Sequence, residues 1–180
     1  MSRTTRSASG TRAKKADELS TDLYDQPGHL IRRAHQISVS MFHAVIGPDI
    51  TPVQYAALRI LQDHEDIDQV TLAKYCALDN STTATLAVRL EEKGLIERIT
   101  PPENKRFRLL RLTPAGNALL ESLVPSVHRL RNRMLETLSK EEQKTFLMLL
   151  SKFVHINNEQ SRAPLRRTNV SEKSVETAGR

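Results

Sequence analysis

The chain has 180 residues, 38% of them hydrophobic and 27% charged, with a formal net charge of +6. That length fits one domain with tails, a single cysteine excludes an internal disulfide, and no run approaches the ~18–20 apolar residues that span a bilayer. The basic opening MSRTTRSASGTRAKKADELS has neither the apolar stretch of a secretory signal nor the apolar face of a transit peptide, so a cytoplasmic protein with no membrane partner is expected.

In chain order, residues 1–22 carry five basic against three acidic side chains and few large apolar ones, a composition that predicts a disordered basic arm. A folded domain is expected over 23–160. Its first helix runs from about 27 to 46, with Pro27 in the opening turn and Gly47-Pro48 as the stop. Along it Leu30, Ala34, Ile37, Met41 and Ala44 alternate spacings of four and three, a heptad-like apolar seam. Thr51, Pro52 and Gln54 form a capping box that opens a second helix, which ends near the acidic stretch Asp63, Glu65, Asp66 and Asp68. A third, short helix is expected over about 68–77.

The segment DNSTTATLAVRLEEKG reads as a helix over about 80–93, capped by Asp79 and closed by Gly94. Thr83, Leu86, Ala87 and Leu90 form its inward stripe; Ser81, Thr82, Thr85 and Arg89 occupy the other face. LIERI and FRLLRL are short and branched, and they flank the turn TPPENKR, which predicts a hairpin of two strands. Thr113-Pro114 then opens a long helix to about 137, which Pro125 is expected to kink. Ser139 and Glu142 form a further capping box and start a last helix to about 157. Residues 161–180 hold five basic against two acidic side chains and read as a second disordered basic tail.

The element order predicts a mainly α fold with a small β-hairpin wing, that is, a winged helix-turn-helix whose DNA-binding lobe covers about 51–112. The major groove of duplex DNA admits an α-helix. Short hydroxyls at Ser81, Thr82 and Thr85 let that helix lie close to base edges or phosphates, and Arg89 is long enough to reach either. From Lys93 to Arg111 six basic residues face two acidic ones, and Lys105 and Arg106 at the hairpin tip suit a narrow minor groove or the sugar-phosphate backbone.

Residues 72–120, and within them LDNST, RLEEKGLIER, PENKR and LTPAG, resemble the DNA-binding core of the multiple-antibiotic-resistance regulator (MarR) family of bacterial transcription factors. With the flanking helices the resemblance covers about 24–157. It implies a triangular homodimer on a pseudo-palindromic operator, with the helices at about 27–46 and 114–157 in the dimer interface. It also places Ser81, Thr82, Thr85 and Arg89 on a recognition helix and Lys105 and Arg106 on the wing. Three departures stand out. The wing, commonly DPEDRR, reads PPENKR here, a frequent recognition-helix arginine is Thr85, and the turn glycine is Ala77, which alanine suits only at negative φ.

The resemblance further implies release from DNA by a small molecule. The chain is similar to the branch governing hydroxycinnamate and other aromatic-acid catabolism, where the effector can be a CoA thioester. Beside the apolar seam of the first helix lies a polar one, His29, Arg33, Gln36, Ser40 and His43. It is a solvated face, a set of intersubunit hydrogen bonds, or an anion site with Arg33 as partner of the charge, His29 and Gln36 beside it, and Tyr55 and Arg59 completing it. Cys76 is expected to be a buried small hydrophobe, and the six histidines show no HxH or HxxxH pair, so neither metal nor cofactor is expected. Six glycines scattered singly and no nucleophile-elbow motif argue against an enzyme. The alternatives are a winged-helix protein-interaction or RNA-binding module with basic tails, or a metal-responsive member of the same family.

Overall fold

The computed structural model describes residues 22–101 and 108–166. It is mainly helical, with a small antiparallel sheet, and the chain divides into two compact units, residues 1–39 and 40–180. Helix α1 (Pro27–Ile46) crosses that boundary, and a 3-10 turn, Leu23–Asp25, precedes it. The turn forms because Asp22 caps it, its carboxylate accepting the Tyr24 N–H at 3.0 Å. In the first unit Leu30, Ile31 and Ile37 are exposed.

In the second unit every predicted helix start is set by a side-chain cap. At α2 (Pro52–Asp63) Thr51 Oγ1 accepts the Gln54 N–H at 3.2 Å, and Gln54 Oε1 accepts the Thr51 N–H at 3.1 Å. Asp68 caps α3 (Gln69–Cys76) by accepting the Thr71 N–H at 2.6 Å, and Asp79 caps α4 (Asn80–Glu92). Each cap satisfies a backbone donor that the helix itself leaves unpaired. Leu58 and Leu61 of α2, Leu72 of α3 and Thr83 and Leu90 of α4 are fully buried together with Ile96 and Leu110 of the sheet.

The sheet has three strands where the periodicity predicted two. Strands β2 (Ile96–Ile99) and β3 (Leu109–Leu112) pair antiparallel, with Ile96 opposite Leu112 and Ile99 opposite Leu109. The added strand, β1 (Ile67–Asp68), pairs with the other edge of β3, Ile67 opposite Leu110. Two residues are too short to show a period of two. A long-range pair holds β1 instead: Arg111 grips Asp66 through Nε at 2.7 Å and Nη2 at 2.5 Å. Alternation along β3 buries Leu110 and Leu112 and turns Arg111 outward.

Helix α5 (Pro114–Leu135) starts on Thr113, whose hydroxyl accepts the Gly116 N–H at 3.0 Å, and continues unbroken past Pro125 to Leu135. Ser139 and Glu142 form the expected capping box of α6 (Lys140–Ile156). On α6 Phe146, Leu147, Met148, Leu149, Leu150 and Phe153 are each at least 42% exposed. Residues 161–166, assigned by composition to a disordered tail, are placed, and they return to α3 through an Arg166 N–H to Lys74 C=O bond of 3.0 Å. Residues 1–21 and 167–180 of the two expected tails lie outside the described residues. No helix among the described residues is long and apolar enough to cross a membrane.

Candidate nucleic-acid interface

The turn joining α3 to α4 fixes how the second helix is presented. Ala77 closes α3 in the left-handed region, φ +52° and ψ +46°, and the Leu78 N–H reaches back to Ala73 C=O at 2.9 Å. The negative φ that would suit alanine in this turn is therefore not met. The paired carbonyls of α3 demand a left-handed residue here, and alanine takes that conformation at a cost of about 1–2 kcal/mol.

Asp79 then starts α4. Its carboxylate accepts the Thr82 N–H at 2.8 Å and the Thr82 hydroxyl at 2.9 Å, and these bonds, with the nearby Arg162, hold its pKa below the usual carboxylate range. Thr83 is completely buried, which would be costly for an unpaired hydroxyl, but it donates to Asp79 C=O at 2.9 Å. With Thr83, Leu86, Ala87 and Leu90 turned inward, α4 presents Ser81, Thr82, Thr85 and Arg89 on its exposed side. Thr85 donates to Ser81 C=O at 3.2 Å, so its hydroxyl and that of Thr82 offer acceptor lone pairs outward.

At the far end Gly94 takes φ +68°, Lys93 Nζ bonds Asp49 C=O, and Arg98 of β2 pairs with Glu91 at 2.5 Å. The Arg98–Glu91 pair ties the helix to the wing strands, and the Lys93 bond ties its end to the loop before α2. Lys105 and Arg106, assigned to the wing tip, lie outside the described residues. Val88, which the sequence reading passed over, is 41% exposed. Its spacing of four and three from Ser81 through Thr85 was a legible sign that it shares their side of the helix.

The residues proposed for an effector are distributed over both units. In the first, the His29 ring meets Tyr24 edge-on at 5.6 Å, Gln36 accepts from Arg32 at 3.0 Å, and Arg33 is exposed. In the second, the Tyr55 ring lies 6.2 Å from that of Phe42, while Arg59 bonds Gln62 and Asp63 along its own helix. A surface cavity of about 680 Å³ in the second unit is lined by Ala44, Val45, Arg129, Asn132, Arg133 and Glu136, and none of the five candidates lines it. Cys76 is half-buried and packs against the core; burial pushes its thiol up to about 11, which keeps it protonated at neutral pH. Among the described residues no group of three or more His, Cys, Asp or Glu is placed to hold a metal ion.

This geometry agrees with what the chain is similar to. The MarR family model matches residues 50–107. The HTH-type transcriptional repressor NicR of Pseudomonas putida is 30% identical over 139 residues, which cover 77% of this chain and 88% of that protein. The transcriptional regulator PcaV of Streptomyces coelicolor, solved with its natural ligand, has a TM-score of 0.70 and 31% identity, covering 76% of this chain and 97% of that one. A cysteine-to-serine variant of MarR from E. coli, solved with operator DNA, has a TM-score of 0.66 and 29% identity, covering 71% of this chain and 92% of that one. The capped α4 with its hydroxyl-rich outer side, the strands that follow it and these matches agree: the chain belongs to the MarR family of transcriptional regulators.

Proposed function

We propose that the protein is a homodimeric repressor that binds a pseudo-palindromic operator and leaves it when a small anionic effector, an aromatic acid or its CoA thioester, is bound. The observation that carries the reading is the outer side of α4, where small hydroxyl side chains and Arg89 stand on a helix anchored by a fully buried inner stripe. In this reading Ser81 and Thr85 meet base edges, Val88 offers an apolar contact to a thymine methyl, and Thr82 accepts a hydrogen bond. Arg89, Lys105 and Arg106 neutralise phosphates. Dimerisation is supported by α6, which has apolar residues on every side and leaves them open to water in the single chain. NicR, named a repressor, supports the direction of control, and PcaV, solved with a natural ligand, supports an effector. On α1, Arg33 is the proposed partner of the effector's charge, with His29 and Gln36 one turn to either side. Tyr55 and Arg59 are proposed as further contacts, for which Arg59 has to release Gln62 and Asp63. The effector acts by binding the DNA-incompetent dimer more tightly than the competent one.

The test is fluorescence anisotropy against the DNA upstream of the protein's own gene and a scrambled duplex, at two salt concentrations, with and without a panel of aromatic acids and their CoA thioesters. Sequence-dependent binding reversed by one compound is expected. Thr85→Ala and Ser81→Ala should change which sequences are preferred, whereas Arg106→Ala should weaken binding to all of them and lower the salt slope by about 1. Equally weak, salt-sensitive binding to both duplexes would refute the operator reading and favour a protein-interaction module.

A further inference from the structure

We propose that residues 161–166 form a fixed arm of the DNA-binding surface and that Arg162 is a further contact to the DNA backbone, a proposal that rests on the regulator reading above. The arm is held at several points. Asn158 clamps Leu165 in both directions, accepting its N–H at 2.9 Å and donating to its C=O at 3.1 Å. Arg166 makes a bidentate pair with Glu159 at 2.6 and 2.7 Å, and its backbone N–H bonds Lys74 C=O in the last turn of α3. Ala163, Pro164 and Leu165 are half-buried. The result brings Arg162 to Asp79, 83 positions earlier, with Nη2 3.3 Å from Oδ2.

Charge explains what such an arm does at this place. Asp79 is needed to cap α4, and the first turn of that helix has no other acidic side chain. The same carboxylate would repel a phosphate drawn to the outer hydroxyls of α4. Arg162 offsets that charge through a single long contact, and its side chain is 90% exposed. A guanidinium has five N–H donors in a planar fork, so the others are available to a phosphate oxygen. On the arm the second arginine commits both terminal nitrogens to Glu159, whereas Arg162 meets Asp79 through one nitrogen and presents its other donors beside the helix start.

The experiment is salt-dependent binding of full-length protein to operator and scrambled duplexes, comparing the unsubstituted chain with Arg162→Ala and Arg162→Lys. Alanine should lower affinity roughly three- to tenfold on both duplexes and reduce the slope of log K against log salt by about 0.9 per bound protomer. Lysine should restore most of the slope, because a phosphate needs a charge more than a fork; a role confined to the cap would move neither slope. Unchanged affinity and slope in Arg162→Ala would overturn the proposal, as would tighter binding, which would make the arm an obstruction. Those results leave the regulator reading intact. Only failure of the unsubstituted protein to prefer the operator counts against that reading.

Discussion

Gly116 offers the sharpest test of how the wing is joined to α5. It is buried in the first turn of that helix, and a β-carbon built there would lie 2.2 Å from the Leu95 carbonyl oxygen and 2.8 Å from Leu112 Cδ1. The first neighbour is backbone, so relief requires the strand start or the helix to move by about 1 Å, since real β-carbons keep about 3 Å from such atoms. Overpacking of this kind costs about 1–3 kcal/mol. The Leu95 carbonyl also accepts the Thr113 N–H at 3.1 Å, and loosening that bond adds about 1 kcal/mol. Alanine regains about 1 kcal/mol of helix propensity. The net expectation for Gly116→Ala is a loss of about 1–3 kcal/mol, or roughly 2–12 °C in Tm for a chain of this size. Thermal and urea unfolding at fixed protein concentration measure it, because any self-association makes the midpoint concentration-dependent. If helix propensity decided the matter, the variant would gain about 1 kcal/mol; a Tm equal to or above that of the parent would refute the close-approach argument.

Two further outcomes follow from the turn and the caps. Ala77→Gly should raise Tm by about 1–4 °C, since relief of the left-handed alanine exceeds the entropy that glycine adds to the unfolded chain; a lower Tm would show that the turn is unstrained. Hydrogen bonds from Arg111, Thr82, Ser139 and Arg166, respectively, hold Asp66, Asp79, Glu142 and Glu159 below their ordinary carboxylate pKa values. A depressed folded-state pKa stabilises the protein above the unfolded values, about 4, and that contribution is lost as pH falls through the folded values. The urea midpoint should therefore hold steady from pH 7 to about 5 and drop below about 4, and a midpoint that rises on acidification from 5 to 3 would contradict these assignments.

What the sequence determined by itself was local. Thr51 with Gln54, Asp79, Thr113 and Ser139 with Glu142 each marked a helix start, because a cap is a bond between residues three apart. The inner and outer sides of α4 were legible for the same reason, from the 3.6-residue period alone. Contacts between distant positions decided the rest. Strand β1 is set by its pairing with β3, beside which Arg111 reaches Asp66, and two residues carry no pattern of their own. Ala77 takes a left-handed conformation that its side chain disfavours, since the carbonyls of α3 and the placement of α4 outweigh a local preference of about 1–2 kcal/mol. Residues 161–166 look like a polar tail in composition, yet Lys74, Asp79 and Asn158 supply the bonds that place them. Ordering a segment costs conformational entropy that its own residues cannot repay, and only the tertiary structure brings the compensating partners within reach.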